Sequence, residues 1–144
     1  MRGTGLLLGL GLLVLAPVAA RAASCKNLGA SGIIFPAYNV YATADTTQVG
    51  TITYSCPPPL VPTVSLSASQ DGAYRPRHLL GFTGVVNYEL YADAAMTIVW
   101  GFGTDEQTLP AKNNATANIY GRIFAGQDVA VGTYNDVIMV TFNF

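Results

Sequence analysis

Charge is scarce in this chain. Only 10% of its 144 residues are Asp, Glu, Lys or Arg. The basic residues do not cluster, which argues against a nucleic-acid or anionic-membrane surface. Histidine is confined to His78, between Arg77 and Leu79. A lone histidine supplies no nucleophile–base–orienter set, so no catalytic residues are assigned and the chain does not read as an enzyme. The two cysteines, Cys25 and Cys56, form no Cys-x-x-Cys pair and have no histidine nearby. That spacing excludes a zinc or dithiol redox site, and no metal or cofactor is expected. The chain also lacks an apolar run of the about 20 residues needed to span a bilayer. After residue 22 it lacks any amphipathic helical period.

The remaining polar groups read as structural. Asp45, Asp71, Glu89, Asp93, Asp105, Glu106, Asp128 and Asp136 are scattered, mostly beside turn residues. Carboxylates there usually accept backbone N–H groups. Folding could still pair Asp93 with Asp105. Gly101–Thr104 is glycine-rich, but no helix follows to cradle a phosphate. Asn114-Ala115-Thr116 is a formal glycosylation sequon. Arg75-Pro76-Arg77 offers an anion site; the favoured reading is an arginine packed on tyrosine or paired with a carboxylate.

The N-terminus reads as a secretory signal. Arg2 is the positive segment, Leu6–Leu15 the apolar core, and Ala20-Arg21-Ala22 an A-x-A site. Cleavage is expected after Ala22, with Ala20 as the competing site. Removing residues 1–22 leaves 122 of the 144 residues, with five basic and eight acidic side chains and a net charge of −3. No membrane insertion is expected after cleavage. Export makes a Cys25–Cys56 disulfide the default, contributing roughly 3–4 kcal/mol in the chain-entropy model.

What remains is strand and turn material, rich in Tyr, Thr, Val, Gly and Asn. Strands are expected at Ser31–Phe35, Val49–Cys56, Pro62–Ala68, Val86–Ala92, Ile98–Phe102, Ile119–Phe124 and Tyr134–Phe144. Residues 104–115 read as a polar loop. About seven strands without an intervening helix give an antiparallel sandwich or barrel in one domain, residues 23–144. The last strand is the most telling. Ile138, Val140, Phe142 and Phe144 alternate with Val137, Met139, Thr141 and Asn143, giving one strongly apolar face.

Several blocks resemble the spore coat protein U family, the pilin domain of archaic (Csu-type) chaperone–usher pili. They are Ala73–Leu79 (AYRPRHL), Val86–Asp93 (VNYELYAD) with Thr97–Gly101 (TIVWG), and Tyr120–Val129 (YGRIFAGQDV). Gly132–Asp136 (GTYND) and Val140–Phe144 (VTFNF) complete the set, and Cys25 and Cys56 look like that family's disulfide. Phe124 stands where the family often has proline.

The resemblance implies an immunoglobulin-like sandwich that lacks its last strand. Such a subunit accepts a strand from a periplasmic pilus chaperone, and then from a neighbouring pilin subunit at the usher. Ile138, Val140, Phe142 and Phe144 would edge the acceptor groove. The protein would pass through the periplasm to a cell-surface pilus and serve attachment and biofilm formation. With only Ala23 and Ser24 ahead of Cys25, the subunit is expected to accept a strand but not to supply one, which suits the tip of a fibre. Two alternatives stay open: a stand-alone secreted or coat protein of the same fold, and an extracellular carbohydrate-binding module.

Overall fold

A computed structural model of the chain describes residues 22–144. The expected signal segment therefore lies, but for Ala22, outside the described residues. Among the described residues eight strands form: β1 (Lys26–Ala30), β2 (Thr46–Ser55), β3 (Thr63–Leu66), β4 (Arg77–Leu80), β5 (Val85–Tyr91), β6 (Gln107–Thr108), β7 (Ala115–Ile123) and β8 (Val140–Asn143). One sheet runs β1-β2-β7-β5-β4 and the other β6-β3-β8. Every pairing is antiparallel. The fold is an immunoglobulin-like β-sandwich, closed by apolar side chains from the two facing sheets.

Alternation along each strand fixes which side chains enter the core. β2 contributes Ile52 and Tyr54, β5 contributes Val86, Tyr88 and Leu90, and β7 contributes Ile119 and Ile123, all buried. β3 answers from the other sheet with Val64 and Leu66. Trp100 is 1% exposed, and its indole N–H donates to the Val64 carbonyl at 2.8 Å. Its polar handle is thus satisfied inside the core. Cys25 and Cys56 are bonded, fastening the start of β1 to the end of β2.

The strand boundaries differ from expectation in instructive ways. Ser31–Phe35 is not a strand; the strand lies just before it, at β1. Ile33 and Phe35 still alternate inward, but the segment has no ladder partner. Ile98–Phe102 forms only a single bridge, between Val99 and Tyr91. After that bridge the chain leaves the sheet. The Trp100 carbonyl accepts from the Arg77 guanidinium at 3.0 Å, and the Gly101 carbonyl accepts from the Leu66 N–H at 2.8 Å. The expected loop at residues 104–115 contains the short β6, and β4 was not anticipated at all.

The last expected strand is regular only from Val140. Its lead-in switches sheets. Asn135 exchanges two backbone hydrogen bonds with Leu80 of β4, at 2.6 and 3.0 Å. By Met139 the chain has reached β3, where the Met139 carbonyl accepts the Ser67 N–H at 3.0 Å. A segment that crosses from one layer to the other cannot stay in one ladder.

Candidate strand-binding groove

β8 is paired on one edge only. Val140 lies opposite Leu66 and Phe142 opposite Val64. Among the described residues, no strand lies along its other edge. Ile138, Val140 and Phe142 are half-buried and pack on the core. Val137 and Met139 point away, 68% and 70% exposed, as do Thr141 and Asn143. Phe144 lies past the end of β8 and is 56% exposed, so it joins this face only loosely.

Across from that free edge runs Ser31–Tyr38, held at both ends. At one end the Ser31 N–H donates to the Thr51 carbonyl at 2.8 Å. At the other, the Tyr38 hydroxyl donates to the Phe124 carbonyl at 3.1 Å and accepts the Gln127 N–H at 2.9 Å. Between these tethers Ile33 and Phe35 lie on the inner face of the five-stranded sheet. Two glycines make room for them. A Cβ on Gly50 would sit 2.6 Å from Ile33 Cγ1, and one on Gly121 would sit 2.7 Å from Phe35 Cζ. Phe35 also meets Tyr88 edge-on, with ring centroids 6.2 Å apart. Residues 32–37 make no backbone hydrogen bond among the described residues.

Between this segment, the inner face of the sheet and the lead-in to β8 lies a cavity of about 1030 Å³. Its floor includes Leu79, Val86, Leu90 and Ile119. A second cleft, of about 440 Å³, continues between Leu28–Ala30 of β1 and Met139–Phe142. Both are lined by Ala30 and Val140, so the opening continues along β8 as far as Phe142. An apolar floor flanked by the free edge of β8 and by the unpaired segment 32–37 suits one kind of ligand. That ligand is an extended peptide, which would bond to both walls and cover the floor with alternate side chains.

The far end of the groove is polar. Asp136 accepts N–H groups from Gln70 and Val137, each at 2.9 Å, and the Tyr88 hydroxyl at 2.7 Å. Burial pushes the Tyr88 phenol well above its ordinary pKa, and the bond to Asp136 adds to the shift.

The other polar residues stand apart from the groove. Arg77 is fully buried, ion-paired with Glu89, and donates to the Leu66, Ser67 and Trp100 carbonyls. Arg75 pairs with Asp105 at 2.5 Å. The hydrogen bond from Tyr74, then Arg75, holds the Asp105 carboxyl below its usual range. Asp93 instead takes the Ile98 and Thr97 N–H groups at 2.8 and 2.9 Å, so it is not paired with Asp105. His78 is bonded to Asp71 at 2.7 Å. The two arginines therefore follow the packed and paired reading rather than the anion-site one.

The family of Spore Coat Protein U domains matches residues 11–141. The chain belongs to that family. Protein U of Myxococcus xanthus is 36% identical over 64 residues, covering 43% of this chain and 36% of Protein U. The fold matches a crystal structure of a chaperone–tip adhesion subunit pre-assembly complex from archaic chaperone–usher Csu pili of Acinetobacter baumannii. There the TM-score is 0.58 and the identity 19%, covering 84% of this chain and 40% of that chain. The chain thus spans well under half the length of either of these relatives.

Sequence reasoning found the β8 face but missed the opposite wall. Ser31–Phe35 alternates like a strand, and nothing in it announces that its partner is absent. Gly50 and Gly121 carried the missed signal. Each is a glycine at an inward position of an otherwise well-packed strand, which marks a close approach by another segment.

Proposed function

We propose that residues 23–144 are an exported structural subunit that accepts a β-strand from another protein, in the manner of an archaic chaperone–usher pilin. One observation carries the reading: the groove along β8, apolar at its floor and flanked by the free edge of β8 on one side and the unpaired segment 32–37 on the other. Residues 1–22 act as the signal peptide. A periplasmic chaperone lends the first strand, and a neighbouring subunit replaces it at the usher. Ile138, Val140 and Phe142 border the inserted strand, with Phe144 at its end. Family membership and the likeness to a Csu subunit support this role over an enzymatic one. If cleavage falls after Ala22, too little chain precedes Cys25 to donate a strand. The subunit then sits at the tip of a fibre and serves attachment and biofilm formation.

The test is co-expression with a cognate chaperone, followed by isolation of the complex. The expected result is a stable one-to-one complex, with aggregation when the chaperone is absent. A cooperative, monomeric melt at high temperature without any partner would overturn the proposal. The family's description as a spore coat domain makes a stand-alone coat protein the second reading, and that melt would support it. The third, a sugar-stacking module, loses its best candidate because Trp100 is buried.

A further inference from the structure

The groove has a charge polarity along its length. Its Asp136 end is acidic. Among the described residues, Asp136 is the one carboxylate in the lining of the larger cavity, and no Lys, Arg or His lines it. Exposed Asp128 sits beside Val129, which also lines it. The basic side chains on neighbouring strands are already engaged: Arg77 by Glu89, His78 by Asp71, and Arg122 by Asp45 at 3.6 Å. The opposite end is basic. The chain has two lysines, Lys26 and Lys112. Lys26 opens β1 opposite Ser55, and the Lys112 carbonyl accepts the Cys56 N–H at 2.9 Å. Both lysines are exposed at the disulfide end, and among the described residues neither has an ion-pair partner. β8 runs from the acidic end to the basic one. Asp136 precedes it, while Asn143 at its end lies opposite Thr63, which is itself opposite Thr108 on the approach to Lys112.

We infer that the groove selects a strand of matching polarity: an apolar alternating run flanked by a basic residue at the Asp136 end and an acidic residue at the Lys26–Lys112 end. This rests on the strand-accepting reading above and adds the partner's chemistry to it. The apolar floor holds any alternating strand of suitable length. Charges at the two mouths are what distinguish one orientation and register from another, because complementary charge mainly sets specificity. Both mouths are open to solvent, so the preference is modest and falls with salt.

The experiment uses four synthetic peptides that share one alternating apolar–threonine run. Their flanks are Lys and Glu, Lys and Lys, Glu and Glu, or Gln and Gln. The full chain is refolded with each peptide and binding is measured by titration. A photo-crosslinker placed beside the basic flank reports orientation. The Lys–Glu peptide is expected to bind about five-fold tighter than either uniformly charged one at low salt, with the gap closing at high salt. Its crosslinker should label the segment around Asn135 and Asp136. In the Lys26→Glu/Lys112→Glu variant, which leaves the groove wall intact, the Lys–Lys peptide should become the tightest. Equal binding of all four peptides, or crosslinks shared between the two ends, would overturn the inference while leaving strand acceptance standing. Binding of none would overturn strand acceptance and the inference with it.

Discussion

Tyr88 and Asp136 are joined by a hydrogen bond of 2.7 Å at the wall of the groove. It ties the inner face of β5 to the lead-in of β8, linking the two layers where the chain crosses between them. Tyr88→Phe keeps the ring that Phe35 packs against and removes only the donor to the carboxylate. The expected loss is about 2 kcal/mol, because a bond to a charged acceptor goes while Asp136 keeps its two backbone donors. Urea denaturation of the chaperone-bound or peptide-bound protein measures it. An unchanged midpoint would show that the lead-in is held by its backbone alone.

The pH dependence of stability should have two limbs. The Tyr88 phenol is raised in the folded state, chiefly by burial, and Tyr54, Tyr74 and Tyr91 are raised as well. A raised pKa favours the protonated form, so this contribution is complete below about pH 10 and is lost as pH climbs above it. Asp71, Asp93 and Asp105 are lowered: Asp71 first by the His78 hydrogen bond, Asp93 by the Ile98 N–H and Asp105 by Tyr74. Their contribution is complete above about pH 4 and is lost as pH falls. Melting temperatures across the range should trace a plateau between these limits. Asp93→Asn should soften the acid limb and leave the alkaline one unchanged, because no raised tyrosine depends on Asp93.

Arg77 and Glu89 form a buried ion pair, so breaking it one-sidedly should be worse than removing it. Arg77→Met strands a buried carboxylate and is expected to cost about 3–5 kcal/mol. Adding Glu89→Met should recover part of that. It should not recover all of it, because the Leu66, Ser67 and Trp100 carbonyls still lose their donor. Equal denaturation midpoints for the single and double variants would show that the carbonyl contacts, rather than the pair, carry the effect.

Local signals revealed most of the sandwich, and the site only in part. β2, β3, β5 and β7 are strands whose alternating residues meet apolar partners across one core, so their pattern appears in the sequence itself. Ser31–Phe35 and Tyr134–Met139, the start of the last expected strand, look equally strand-like. Their ladder bonds, however, depend on what lies beside them: the first lies over the inner face of the five-stranded sheet with no ladder partner among the described residues, and the second crosses from one sheet to the other. Arg77 reads as a surface residue by type. It is buried because Glu89 and three carbonyls from distant parts of the chain converge on it, and residue spacing does not encode that convergence.

The two inward glycines give a direct test of the groove wall. Gly121→Val would drive a side chain into Phe35 and displace the wall segment, at an expected cost of about 1–3 kcal/mol. Gly32→Ala lies in the same region with nothing within 4 Å of its added carbon, and it should change stability by no more than about 0.5 kcal/mol. If both substitutions are silent, Phe35 does not rest on β7.

The final prediction concerns the two faces of β8. Val140 and Phe142 are half-buried, face the core and adjoin the groove, whereas Thr141 and Asn143 are exposed on the same strand. Val140→Asp with Phe142→Asp places two carboxylates where an inserted strand would seal them from water, at a cost of several kcal/mol each. Thr141→Asp with Asn143→Asp adds the same charge to the same strand on its solvent side. Both double variants should be exported and processed. The first should fail to co-purify with a chaperone, and the second should be captured as the parent chain is. Added charge and proximity to the chain end are matched between the two variants, so a difference in capture points to the face. Loss of capture in both would mean that the partner contacts the outer side of β8. Capture of both would mean that the partner binds elsewhere on the domain.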